Sequence, residues 1–466
     1  MDRLLLGRAE DAVAPTGAAL DLRLSELVGA LSHALDLTEG QPKGHCTRAC
    51  WIGMQIGREI GLADAELWQL YYTLLLKDLG CSSNAARICE LYLTDDLQFK
   101  REFKRVGDGL PQMLRFIVSH TGLSSSVPRR VLAVLNILRN GPQIAQELIA
   151  TRCQRGADIA RQLRFPEPVS RGIHSLDEHW NGGGKPEWLA GEAIPLFSRI
   201  ALLAQVVDVF QVAAGPQAAL AEARSRAGRW FDPALVRALV SAARRPGFWA
   251  ALASPTLERA VLELEPGQHR VMLDDDYLDD IATAFGQVVD AKSPFTSGHS
   301  ARVADYTEHI ALRLGLSADR RRWLKRGALL HDVGKLGVSN AVLDKPGALD
   351  GDEWNAVRSH ALHTEAILSR IGAFGELARV ASAHHERLDG RGYPHGLAGD
   401  AISIETRIIT TADIFDAISA TRPYRDAVPV PQTLAIMAGS VGSAIDPLCF
   451  EALTQVLGVA PEGLAG

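Results

Sequence analysis

The chain has 466 residues, 49 Lys and Arg against 55 Asp and Glu, and 47% hydrophobic residues, giving a formal net charge of −6. That length exceeds what one hydrophobic core usually organises and the apolar content is ordinary for a folded protein, so two globular domains are expected and long disordered spans are not. The mild acidity offers no basic footprint and points away from a nucleic-acid polymer as partner.

The opening MDRLLLGRAEDAV holds a three-leucine run, too short for a signal peptide or a membrane span. Six cysteines at 46, 50, 81, 89, 153 and 449 form no CxxC pair and fit a reducing compartment. A cytoplasmic protein without membrane contact is the expectation.

Apolar residues at three- and four-residue spacing predict helix through most of the chain, hence an all-α fold. The first stripe is LSELVGALSHALDL, with Leu24, Leu27, Ala30, Leu31, Ala34 and Leu35 in register. Gly44-His45 follows, then LLLKDLGC at 74–81 and LAGEAIPLFSRIALLAQVVD at 189–208. Pro255, Pro266 and Gly267 interrupt the pattern within 254–270, which divides the chain into 1–255 and 256–466.

Beyond that interruption the series returns. Leu278, Ile281, Ala284, Phe285, Val288 and Val289 repeat the first stripe at a displacement of 254 residues. The same displacement brings Gly298-His299 onto Gly44-His45 and ALLHDVGK at 328–335 onto LLLKDLGC. At a displacement of 208, LAGDAISIETRIITTADIFD at 397–416 overlays 189–208. Ordered segments recurring in one sequence predict an internal duplication, two tandem helical domains, with the extra length of the first copy between about 82 and 180.

The chemistry-bearing residues lie in the second copy, where eight of the fourteen histidines fall between 299 and 395. His299, the pair His331-Asp332, His360, the pair His384-His385 and Asp413 are the candidate metal ligands. Adjacent residues on a helix point about 100° apart, so His331 and Asp332 cannot clamp one ion together, although each can face a shared cluster. A carboxylate can bridge two cations while imidazoles supply neutral nitrogen on either side. Seven such groups suit two divalent first-row metals, iron or manganese, with no cysteine to favour zinc. His309, His363 and His395 read as ordinary core or surface histidines, His363 standing close enough in sequence to compete with His360.

GHSARVA, LLHDVGKLGV, HHERLDGRGYP with GLAGD after it, and TRIITTADIFDAISATRPYR resemble the HD-GYP family, a branch of the HD-domain metal-dependent phosphohydrolases, over roughly 275 to 450. The resemblance implies a helical domain that hydrolyses cyclic di-GMP to the linear dinucleotide pGpG, and in some members on to GMP. It implies the same seven ligands. His360 departs from the family's usual His-Pro-x-x-Gly, reading His-Ala-Leu-His-Thr. Some members hold a third metal through a glutamate four residues before the first histidine; Phe295 stands there, so two metals are expected.

A two-metal site lowers the pKa of a bridging water, supplies hydroxide near neutral pH and clamps the phosphate oxygens. Asp332 and Lys335 are the expected catalytic residues, Lys335 one turn after His331 and able to oppose charge on the phosphorane. In DGRGYP the glycines permit positive φ and Pro394 forbids helix, so the chain turns sharply after the histidine pair. Arg391, Gly392, Tyr393 and Pro394 are the expected substrate loop, the arginine on phosphate and the tyrosine against a guanine.

In the first copy His45 and Asp78 survive. Lys77 stands for His331, Cys81 for Lys335, Leu176-Asp177 for His384-His385 and Gln205 for Asp413. With an ammonium in a ligand's place, this half is expected to assemble no binuclear centre. It reads as a packing partner, regulatory platform or dimer surface, or as a half that binds ligand without chemistry; a homodimer or a signalling protein is the expected macromolecular contact. Two other functions compete: hydrolysis of another cyclic dinucleotide or nucleotide, and a non-catalytic nucleotide- or partner-binding signalling module.

Overall fold

The computed structural model describes residues 22–107, 109–267, 273–421 and 425–459. The opening leucine run, the end of the 254–270 interruption and part of the TRPYR stretch lie outside the described residues. Among the described residues the fold is all helical, with isolated bridges and no strand.

The stripes become helices whose apolar faces are buried. In α1 (Leu24–Thr38) all six residues of the first stripe lie in the core. Gly44, at φ 84°, starts α2 (His45–Glu59) from the left-handed conformation that only glycine takes without a Cβ penalty. The first half continues through α3 (Asp64–Leu76), α4 (Asp96–Phe103), the long α5 (Val127–Gln162) and α6 (Leu196–Ser225). Helix α6 bends at Gly215-Pro216, where the proline cannot donate and the glycine leaves helical φ. It is the one helix among the described residues long and apolar enough to cross a membrane, and 67% of its apolar window is buried inside the protein.

The second half begins with α7 (Asp275–Asp290), capped by the Asp274 carboxylate on the Tyr277 amide at 2.7 Å. Gly298, at φ 70°, launches α8 (His299–Arg313) as Gly44 launches α2. Helix α9 (Ala318–Leu330) is capped by Ser317, and α10 (Gly351–Leu368) by a reciprocal Asp350 and Glu353 box. Then come α11 (Gly375–Ser382) and α12 (Ile404–Ser419), the latter capped by Ser403.

One buried apolar cluster runs from Leu22 to Leu453, through both halves. The short helix Leu257–Leu262 packs on α1 and α2. Polar contacts also cross the junction. The Tyr277 hydroxyl donates to the Leu163 carbonyl at 2.8 Å. Asp96 of α4 accepts from the Asn340 amide at 2.8 Å and lies 3.5 Å from the Lys292 ammonium, with Asp96 and Lys292 both buried.

Candidate active site

Five segments of the second half deliver the seven candidate ligands to one point, His360 coming from within α10. Gly298 places His299 at the first position of α8. Helix α9 ends at Leu330, so His331 and Asp332 sit in the turn after it, followed by a tight 3-10 turn over Val333–Gly337. The expectation that this pair and Lys335 ride one helix is therefore corrected. The Gly334 amide bonds the Thr364 hydroxyl at 3.0 Å rather than a helical carbonyl, and a Cβ on Gly334 would lie 2.0 Å from the His360 carbonyl oxygen. Close docking on α10 breaks the helix and turns both His331 and Asp332 inward. His384 and His385 likewise follow the end of α11, while Asp413 projects from α12.

Asp332 is the centre. Its Oδ2 lies 3.5 Å from His299 Nε2 and 3.3 Å from His331 Nε2. Its Oδ1 lies 3.5 Å from His360 Nε2 and 3.7 Å from His384 Nε2. Asp413 Oδ1 is 3.4 Å from His299 Nε2 and 3.8 Å from His331 Nε2. The ring of His385 packs 5.1 Å from that of His360 and 4.0 Å from that of His384. All seven candidates thus gather, whereas His363 packs against Gly337 and His395 pairs with Glu365.

The rings are held from behind. The Nδ1 atoms of His331, His360 and His384 sit 2.7, 2.6 and 2.7 Å from the carbonyls of Ala328, Val357 and Ala381. His299 Nδ1 is 2.7 Å from Asp416, which the Arg302 guanidinium also grips at 2.6 Å. With Nδ1 donating outward, each Nε2 turns its lone pair to the cluster. His299 Nε2, His331 Nε2 and Asp332 Oδ1 are buried without a hydrogen-bond partner. Buried polar atoms are rarely left so, and acceptors converging on one point fit divalent cations.

The electrostatics agree. Burial pushes the His384 imidazole well below its ordinary range, His385 to about 4 and His360 to about 3, the neutral forms that ligate. Burial would raise the Asp332 carboxyl, but His331 and Lys335 outweigh it and hold it far down. His299 is pulled the other way: against burial, the carboxylates of Asp332, Asp413 and Asp416 hold its imidazole well above the usual range.

Lys335 contacts the Asp332 carboxylate. The loop after the histidine pair is pinned by Glu386, which accepts from the amides of His395, Gly396 and Leu397 at 2.6, 3.1 and 2.9 Å. Tyr393 lies with its ring 4.7 Å from that of His385 and 5.6 Å from the Arg358 guanidinium, Pro394 following through a cis peptide bond. Arg391 is exposed. Gly392 packs on backbone, its absent Cβ falling 2.5 Å from Glu386 Cα. Asp416, Arg302, Glu386 and Arg358 were not among the expected site residues; the first three recur at the same displacements as Asp208, Arg48 and Glu178, a signal in the sequence, whereas Arg358 carried none.

The family model of the HD domain matches residues 118–235 and 284–448. The chain is 58% identical over 439 residues, 94% of its own length and 95% of the relative's, to the 3'3'-cGAMP-specific phosphodiesterase 3 of Vibrio cholerae. The chain belongs to the HD-GYP branch of the HD domain family. A crystal structure described as a cyclic GMP-AMP specific phosphodiesterase of V. cholerae superposes with a TM-score of 0.66 at 53% identity, covering 95% of this chain and 99% of that one. A more partial HD-GYP relative, the cyclic di-GMP phosphodiesterase response regulator RpfG of Xanthomonas campestris, is 40% identical over 34% of this chain and 43% of its own. This HD-GYP chain is an enzyme, a metal-dependent phosphodiesterase.

The first half keeps the frame without the ligands. His45 Nδ1 sits 2.7 Å from Asp208, which Arg48 grips at 2.6 Å, matching His299, Asp416 and Arg302. Glu178 accepts from the amides of Glu187 and Leu189 as Glu386 does in its loop. The buried Lys77 ammonium, in the place of His331, rests on Asp78.

Proposed function

We propose that the chain hydrolyses 3'3'-cGAMP with two divalent cations, iron or manganese, seated in the histidine cluster. The coarser statement, that it is a cyclic dinucleotide phosphodiesterase, follows from its family and relatives. The observation that carries the two-cation reading is the divided Asp332 carboxylate. One oxygen faces His299 and His331 and the other faces His360 and His384, all within 3.7 Å, so these residues would hold one cation on each side of Asp332.

Bound there, the cations supply activation of the attacking water and neutralise charge that builds on the phosphate. The chain's own residues do the positioning. Asp416 and three backbone carbonyls fix the imidazoles, so no reorganisation is needed when substrate arrives. Lys335 keeps Asp332 ionised and adds a positive charge at the edge of the cluster. Tyr393, beside His385, offers a face on which a base stacks, and Arg358 and Arg391 offer charge for the second phosphate.

The preference for 3'3'-cGAMP over cyclic di-GMP rests on the reach of the likeness. A relative named for the first matches 94% of the chain, whereas one named for the second matches 34%. The test is hydrolysis of both dinucleotides by chain loaded anaerobically with iron or manganese, beside the double variant His331→Ala, Asp332→Ala. Faster turnover of 3'3'-cGAMP, abolished in the double variant, is expected. A metal-replete chain that turns over neither sinks the reading, and a preference for cyclic di-GMP overturns the substrate.

A further inference from the structure

The stretch that lengthens the first half carries a bare apolar surface. Among the described residues, nine of the eighteen exposed large apolar side chains fall between Leu110 and Leu138. Single exposed leucines are ordinary, but such a cluster marks a contact. Leu110, Leu114 and Val118 recur every four residues on the helix Leu110–His120, and Val127, Val131, Leu135 and Leu138 every three or four on α5. Each series is one stripe along its helix. Leu123, in the turn between the helices, and Leu132 extend the surface, at 64% and 67% exposed. Together the nine leave on the order of 900 Å² open, against roughly 300–600 Å² for the largest patch on a typical monomer.

These are not the faces that fold the hairpin. Phe116 and Ile117 on the first helix, and Ile137 and Ile144 on α5, are buried in small clusters beside the main core. A helix that is apolar on both sides calls for cover on both.

Charge identifies that cover. From 109 to 146 the sequence has four arginines, no lysine and no Asp or Glu, in a chain of net charge −6. Arg130 is spent on the Val118 carbonyl, to which it donates at 2.9 Å. Arg115, Arg129 and Arg139 are exposed. They stand three or four residues from Val118, Leu132 and Leu135 respectively, and so border the apolar surface. A second copy of the hairpin would bring like charges together. A bilayer with anionic headgroups meets both needs. Leucines and valines enter the acyl boundary, and the arginine stems lie along them with their guanidiniums at the phosphates.

We propose that the hairpin of residues 110–138 docks the chain on the surface of an anionic bilayer. This docking is peripheral, needs no spanning helix, and departs from the expected lack of membrane contact. The test is flotation of the full chain with vesicles of phosphatidylcholine alone and of phosphatidylcholine with phosphatidylglycerol in equal parts. Two double variants run beside it, Leu132→Gln with Leu135→Gln, and Arg129→Gln with Arg139→Gln. All four side chains are exposed, so both variants should melt as the native chain does. Binding to the anionic vesicles is expected, weakened by added salt. The leucine pair should weaken it roughly tenfold or more, and the arginine pair roughly thirtyfold. No binding, equal binding to both kinds of vesicle, or binding unchanged in either double variant would overturn the proposal. Sedimentation velocity without lipid should show a monomer; a dimer that the leucine pair dissociates would assign the surface to a second copy and overturn it as well.

Discussion

Asp416 touches no expected substrate or cation, yet its replacement should be felt at the metal centre. It holds His299 Nδ1 at 2.7 Å and is itself held by Arg302 at 2.6 Å, so Asp416→Asn removes the charge that orients the ring and strengthens its Nε2 as a donor. Partners of this kind are worth ten- to a hundredfold in metal affinity, about 1.4 to 2.7 kcal/mol. The chain carries its own control. Asp208 makes the same pair of contacts, to His45 at 2.7 Å and Arg48 at 2.6 Å, in the half where Lys77 replaces a ligand. Asp208→Asn should cost about 1 to 3 kcal/mol of stability by removing the charge that holds the buried His45 imidazole and the half-buried Arg48 guanidinium, and leave metal affinity unchanged. The assay is metal retained by folded protein against a graded chelator, with hydrolysis measured on the same samples. Full retention in Asp416→Asn, or equal loss in both variants, would refute the reasoning.

Chelation of the native protein should lower its thermal midpoint, since cations at a hundred times their dissociation constant add about 2.7 kcal/mol; a midpoint indifferent to chelator would count against the cluster as a metal site. Glu386→Ala strands three loop amides and should cost about 3 kcal/mol. It should also raise KM more than it lowers kcat by loosening Tyr393, which steady-state kinetics and thermal melts can check. Tyr277 gives a pH prediction: burial raises its hydroxyl from about 10 to about 12. An acid raised in the folded state gives stability that is whole below pH 10 and lost as pH rises towards 12, about 2 to 3 kcal/mol in all. Alkaline denaturation curves of Tyr277→Phe should be flatter across that window, and identical slopes would count against it.

The periodic stripes were sufficient for the helices because each stripe became a buried face, and Gly44 and Gly298 marked helix starts that need left-handed φ. The clustering of the seven candidate residues was legible because histidine and aspartate are costly to bury together without a purpose. The position of His331 and Asp332 beyond the end of α9 was not, since it depends on Gly334 docking against α10, a contact between segments distant in sequence. Nor was the anchoring by Glu386, whose partners are backbone amides and leave no trace in residue type. A cavity of about 300 Å³ in the first half was hidden for a related reason. Part of its wall comes from α4 and the rest of the added stretch, which has no counterpart in the second half to compare it with.

The salt link between Asp96 and Lys292 bears on how this gene can change. Cutting away the first half would leave Lys292 without its carboxylate and the Asn340 amide without its acceptor. A shortened descendant would have to replace both before it could fold well. The half without the histidine cluster is thus tied by a lysine to the half that carries it, and selection on that cluster also guards the sequence of α4.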